Sequence, residues 1–140
     1  MATIRVSAGV LTRGSQILIC QRPPQDPHPL KWEFPGGKAE EGEDAAACLR
    51  RELQEELLIE ATIGAELHSL THSYPNGRIV ALSFLHVPSF QGELINTQFH
   101  ALAWVECTDL PSYDFLDGDL AFVAALAQGQ WSHILSSSNL

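Results

Sequence analysis

The stretch GKAEEGEDAAACLRRELQEELLI, residues 37–59, decides how this chain is read. Within it Ala46, Leu49, Leu53 and Leu57 fall on one arc of a helix and form a stripe that anchors it to a sheet. Asp44 precedes the run as an N-cap, which places the helix from about Ala45 to Leu57. Beside the stripe stand Glu52, Glu55 and Glu56, at i, i+3 and i+4, so their side chains converge on one patch. Carboxylates about 6 Å apart repel by roughly 2–3 kcal/mol per pair at an effective dielectric near 20, less when exposed. Helix preferences among these residues differ by only a few tenths of a kcal/mol, about a tenth of that repulsion. A divalent cation would turn the repulsion into attraction, and carboxylate oxygens with open water positions suit Mg²⁺ or Mn²⁺. The competing reading is a solvated acidic face with Arg50 and Arg51 pairing to it.

The rest of the chain supplies a scaffold for that helix. Thr3–Leu11 alternates as a half-buried strand, Arg13-Gly14-Ser15 reads as a turn, and Ile17–Cys20 as a buried strand. Four prolines between Pro23 and Pro29 demand a loop, and Trp32-Glu33-Phe34 is a short extended piece ending at Pro35-Gly36-Gly37. Leu67–Tyr74 and Ile79–Val87 read as strands joined by a Pro75-Asn76-Gly77 hairpin, and Ala101–Glu106 as another strand. Asp119–Ala127 reads as a closing helix that buries Leu120, Val123, Leu126 and Ala127. The tail from about 132, with Ser136-Ser137-Ser138, is expected to fray. One domain over 1–140 results, α+β in class, with a mixed sheet and a helix on each face.

Composition narrows the function. The net charge of −9 disfavours duplex nucleic acid and anionic lipid, both of which want basic patches. The acid is concentrated: eight of the seventeen acidic residues lie between Glu40 and Glu60. Cys20, Cys48 and Cys107 are odd in number and far apart, which fits buried free thiols rather than a secreted disulfide framework. The first residues alternate instead of forming an apolar leader, and no run approaches the roughly 18 residues that span a bilayer. A cytoplasmic protein is the expectation.

In the decisive stretch, Gly37 is followed after five residues by Glu43 and after seven more by Arg51-Glu52-Leu53, then Glu55-Glu56 and Leu58-Ile59. This spacing resembles the Nudix box, with Leu58 in place of its usual glycine. The flanks LKWEFPGGK, HSYPNGRIVALSFL and AWVECTDLPSYDFLDGD are similar to the MutT-like branch. The resemblance implies an α/β/α sandwich with the catalytic helix on one face and the C-terminal helix on the other. It implies Glu52, Glu55 and Glu56 as metal-binding carboxylates, the Gly36 carbonyl as a further ligand, and Arg51 as the group that orients a glutamate. Glu43 would brace the loop against the helix, and Gly37 would let the backbone approach the phosphates.

Substrate contacts implied in the same way are Arg22 on phosphate, Phe34 and Tyr74 on the base, Arg78, and Asp119 on the base edge. Each has a structural alternative: a solvated arginine for Arg22, buried aromatics for Phe34 and Tyr74, and a first-turn helix acid for Asp119. The six histidines lack zinc-like spacing and read as structural. Leu58 is expected to alter the turn after the helix, because leucine avoids positive φ. Gln98 stands where relatives often carry another metal-ligating glutamate, unless the loop slips and Glu93 supplies it.

The activity implied is Mg²⁺-dependent hydrolysis of a nucleoside triphosphate to monophosphate and pyrophosphate, with Mn²⁺ able to substitute. An oxidised purine such as 8-oxo-dGTP or a pyrimidine such as CTP is the substrate the flanks favour. ADP-ribose, a dinucleoside polyphosphate, or a nucleotide sensor without turnover remain open. A monomer or weak homodimer is expected.

Overall fold

In the computed structural model, which describes residues 3–136, nine strands and three helices are defined. They are β1 (Ile4–Arg13), β2 (Gln16–Gln21), β3 (Trp32–Glu33), β4 (Gly36–Lys38), α1 (Ala45–Leu57), β5 (Glu60–Thr62) and β6 (Glu66–Ser73). There follow β7 (Ile79–Val87), β8 (Ser89–Gln91), β9 (Ala101–Glu106), α2 (Leu120–Ala127) and α3 (Ser132–Ser136). The chain from Cys107 to Ser112 and from Asp117 to Asp119 forms 3₁₀ turns.

β1 organises the main sheet. It runs parallel to β7 from Ile4 to Leu11 and antiparallel to β2 and β4, so the sheet is mixed. β1 and β2 pair only at Thr12–Ile17 and Arg13–Gln16, next to their turn. Beyond that point they part: β2 pairs along its length with β9, while β1 takes β4 as its neighbour over Val6–Ala8. The Gly9 amide donates to the Pro35 carbonyl across the opening at 2.7 Å. β5 and β8 form a separate two-stranded sheet.

Period-two alternation divides two cores. Ile17 and Ile19 of β2 face α2 and α3 with Phe84, Phe122, Leu126 and Trp131, whereas Leu18 faces Leu49, Leu53 and Leu57 of α1. A helix therefore lies on each side of the sheet, as the sequence indicates.

The differences have packing causes. β1 is buried without a break from Ser7 to Thr12, not half-buried, because it is an interior strand covered on both faces. The extended piece does not end at Gly36-Gly37, which open strand β4. In α2 Phe122 is buried and Leu120 is 51% exposed. LAFVAALA is apolar nearly all round, so its pattern does not choose a face. Stacking of Phe122 on Phe84, with centroids 3.9 Å apart, does. Ser132–Ser136 forms α3, with Trp131 and Leu135 buried, where fraying was expected; Ser137 and Ser138 lie outside the described residues. Cys20 and Cys48 are buried free thiols as read from the sequence. No described helix is long and apolar enough to cross a membrane.

α1 begins where expected: the Asp44 carboxylate accepts the Ala47 amide at 2.8 Å. Its end corrects an expectation. Leu58 does not alter the turn; it adopts the left-handed conformation itself, φ 58° and ψ 36°, and its amide bonds Gln54 O at 3.1 Å. A side chain in that region costs about 1–2 kcal/mol, and Leu58, 44% exposed, recovers only part of it by burial. Leu58→Gly is therefore expected to raise stability by about 0.5–1 kcal/mol after the entropy of glycine is subtracted. Urea unfolding checks this, and a loss of stability would show that the leucine contributes more than its backbone strain removes.

Candidate active site

α1 carries its carboxylates at three depths. The side chain of Glu52 is 16% exposed and that of Glu55 58% exposed, while Glu56 is 5% exposed. From Glu52, Glu56 turns about 40° one way round the helix and Glu55 about 60° the other, so the strand side receives only one of them. The structure brings Glu52 and Glu56 to the same cleft and leaves Glu55 on its outer side. Among the described residues no three His, Cys, Asp or Glu side chains are grouped closely enough to hold an ion by themselves. Of the three carboxylates expected on one patch, two thus share the cleft, and Glu55 stands beside them on Arg51.

Arg51 neutralises much of the remaining acid. Its guanidinium holds Glu43 through Nε and Nη2 at 2.8 and 2.9 Å, Glu52 through Nη1 at 2.9 Å, and Glu55 at 3.3 Å. It also donates to the Lys38 carbonyl at 2.9 Å. Glu43 in turn accepts the Glu40 amide at 2.8 Å. Bonded to Arg51, its carboxyl is held down to about 2. Glu43 thus braces the loop against the helix, as implied.

Glu56 has no such partner: among the described residues no cation pairs with it. Its oxygens accept from the Gly36 amide at 3.2 Å and from Gln98 Nε2 at 3.3 Å. Burial first, then the charges of Glu52 and Glu33, push its pKa up to about 9. The glycines of β4 are required by space. A Cβ at Gly36 would collide with the Ser7 carbonyl, and one at Gly37 would overlap the Glu52 carboxylate.

A cleft of about 1170 Å³ opens where β1 and β2 part, and it joins Glu52 and Glu56 to the candidate substrate residues. Arg22 lines it but is committed to Asp26 at 2.7 Å and Glu33 at 2.9 Å. Tyr74 and Arg78 reach it from the β6–β7 hairpin, Tyr74 exposed and meeting His72 edge to face at 4.6 Å. Phe34 is a buried core aromatic, with Phe115 stacked on it at 5.4 Å, so that face offers no platform to a base. Asp119 is buried in the cleft at the N-terminus of α2, the position of the helix-acid alternative, but its side chain makes no cap bond there. Burial and the charge of Glu33 push it up to about 7, against the opposing pull of Arg22. Gln98 sits on Glu56, while Glu93 is exposed and outside the cleft, which removes the slipped register.

The NUDIX domain profile matches residues 3–126. The chain belongs to the Nudix family. It is 38% identical over 125 residues to the CTP pyrophosphohydrolase of Escherichia coli, covering 89% of this chain and 92% of that protein. It is 32% identical over 123 residues to a putative 8-oxo-dGTP diphosphatase 2 of Mycobacterium tuberculosis, covering 88% and 87%. In structure it matches the Escherichia coli ORF135 protein with a TM-score of 0.84 at 36% identity over 94% of both chains. It matches MutT from Aliivibrio salmonicida and Vibrio cholerae at 0.74 and 28% identity, over 91% and 98%.

As a Nudix hydrolase the protein is an enzyme, and Nudix hydrolases generally need a divalent metal. The residues fit such an ion. A buried carboxylate facing other carboxylates, with only two neutral N–H donors, is the environment a cation relieves. Sequence reading missed Glu33. It is the carboxylate whose charge acts on Glu56 on one side and on Asp119 on the other, while binding Arg22. The available signal was a charged residue between two aromatics in a short strand, Trp32-Glu33-Phe34.

These shifts fix a pH dependence. Glu56 and Asp119 titrate higher in the fold than the carboxylates of an unfolded chain, near 4, so the fold favours their protonated forms. Their contribution is complete below about 4 and is lost as pH rises through about 7 and about 9. In EDTA, stability should therefore decline from pH 5 to 9, and Glu56→Gln should flatten the decline. Urea midpoints across that range test it, and midpoints that rise with pH would contradict the buried, uncompensated Glu56.

Proposed function

We propose that the protein hydrolyses a nucleoside triphosphate to the monophosphate and pyrophosphate with Mg²⁺, Mn²⁺ substituting, and that CTP-type nucleotides are its first substrates. The observation that carries the reading is the uncompensated Glu56 beside Glu52, in one cleft with the buried Asp119. Mg²⁺ keeps several waters and takes one or two carboxylates plus substrate phosphates, which suits two convergent carboxylates better than a closed cage. When bound, the ion supplies charge for the phosphates and acidity for the attacking water.

The chain's own residues do the rest. Glu52 and Glu56 hold the ion, with the Gly36 carbonyl, Gln98 and Glu55 as the further ligands the family pattern suggests. Arg51 fixes the Glu52 oxygens so that no reorganisation is needed on binding. Arg78 is free of ion pairs among the described residues and meets phosphate, whereas Arg22 must first leave Asp26 and Glu33. The neutral Gln98 amide removes one charge from the site, which is the feature that would favour a sensor over an enzyme. The relatives named for hydrolysis of nucleotides weigh against a sensor.

Asp119 supports the cytosine reading. A carboxyl titrating near neutrality donates one hydrogen bond and accepts another when protonated, matching the N3 acceptor and N4 amine of cytosine. Ionised, it only accepts, and matches the N–H donors on the edge of guanine or 8-oxoguanine, the second substrate class. The relatives named as 8-oxo-dGTP diphosphatases favour that second class.

With Mg²⁺ chelated, turnover is expected to cease, and Glu56→Gln should lower kcat by about a hundredfold or more. Ion-exchange separation of products from a nucleotide panel measures both; wild-type rates in EDTA would end the metal assignment. In the same panel, the ratio of CTP to 8-oxo-dGTP turnover should fall as pH passes 7. Asp119→Asn keeps a donor and an acceptor at every pH and should abolish that trend. A uniform rate loss across all nucleotides would instead give Asp119 a structural role.

A further inference from the structure

The last carbonyls of an α-helix have no partner within it. In α1 those of Glu55, Glu56 and Leu57 are taken by a segment some forty residues downstream. The Ile95 amide donates to Leu57 O at 2.9 Å and the Thr97 amide to Glu56 O at 3.1 Å. The Thr97 hydroxyl is shared between Glu55 O at 3.0 Å and Glu56 O at 2.9 Å. Asn96 closes the turn that follows: its Oδ1 accepts the Gln98 and Phe99 amides at 3.1 and 2.8 Å, and its Nδ2 donates to Phe99 O at 2.9 Å. One residue past the hydroxyl, Gln98 Nε2 meets the Glu56 carboxylate at 3.3 Å.

We propose that Thr97 is a positioning residue: its hydroxyl pins this segment to the end of α1 and so holds Gln98 on Glu56, setting how tightly the site takes a divalent cation. The proposal rests on the metal assignment above. Glu56 is gripped by two adjacent residues, at its carbonyl by Thr97 and at its carboxylate by Gln98, so the two contacts share one short path. At 3.3 Å the amide–carboxylate contact is at the long end of a hydrogen bond, and a shift of a few tenths of an ångström would end it. Leu58 closes only Gln54 O with its amide, so the carbonyls beyond it are pinned by the remote segment.

A plain helix cap would affect stability alone. The test is therefore Mn²⁺ affinity, followed by electron paramagnetic resonance of the free ion without nucleotide, alongside the melting temperature. Thr97→Val should weaken Mn²⁺ binding on the order of tenfold, the scale seen when a partner of a metal ligand is removed, while Thr97→Ser should match wild type. In a Gln98→Ala background, Thr97→Val should weaken Mn²⁺ no further yet still lower the melting temperature. Asn96→Ala, which loosens the turn without touching α1, should also weaken Mn²⁺ only when Gln98 is present, and it decides the matter if Thr97→Val does not fold. A lowered melting temperature with unchanged Mn²⁺ affinity would overturn the proposal, as would equal weakening with and without Gln98. Wild-type protein that takes up no Mn²⁺ would overturn both this and the proposed function, whereas saturable binding indifferent to Thr97 and Asn96 overturns this one alone.

Discussion

Arg51 is the contact on which the site depends. One guanidinium binds Glu43, Glu52 and Glu55 and the Lys38 carbonyl, so it fastens loop, strand β4 and helix α1 together while cancelling most of their mutual repulsion. A planar fork with five donors can do this; a lysine cannot. What Arg51 leaves uncancelled is Glu56, buried and without a cation among the described residues. The charge balance thus has two parts, one closed by the chain itself and one left for an ion.

The sheet places this remainder where a substrate can reach it. Because β1 and β2 pair only beside their turn and then separate, the sheet opens instead of continuing flat, and Gly36 and Gly37 enter the gap. Both glycines are dictated by close approach, Gly36 to Ser7 and Gly37 to Glu52. Glu33 and Asp119 line the same opening, so the row of carboxylates from α1 to the start of α2 follows from one divergence of two strands. Burial along that row raises two of its members, so that without metal Glu56 is protonated at neutrality and Asp119 titrates there. That protonation stabilises the metal-free fold and opposes metal binding, a conflict of stability with function common at sites of this kind.

Much of this was legible beforehand. The helix limits, its Asp44 cap, the hairpin at Asn76-Gly77 and the strand Ala101–Glu106 are set by local rules of spacing, capping and turn chemistry, which neighbours do not override. The motif implied that Glu43 braces the loop against the helix; that it does so through Arg51 came from the fold. The strands β5 and β8, three residues each, carry too little pattern to be read.

What the sequence by itself determined, then, is the family and the limits of the acidic helix, because periodicity and fixed spacing are properties of the chain alone. Only the tertiary structure decided which residues share a space. It turned Glu55 to solvent and Glu56 inward, tied Arg22 to Asp26 and Glu33, put Phe34 in the core, and brought Thr97 to the end of α1. Depth beneath a sheet and contact across forty residues depend on packing between elements, and no local pattern carries that information.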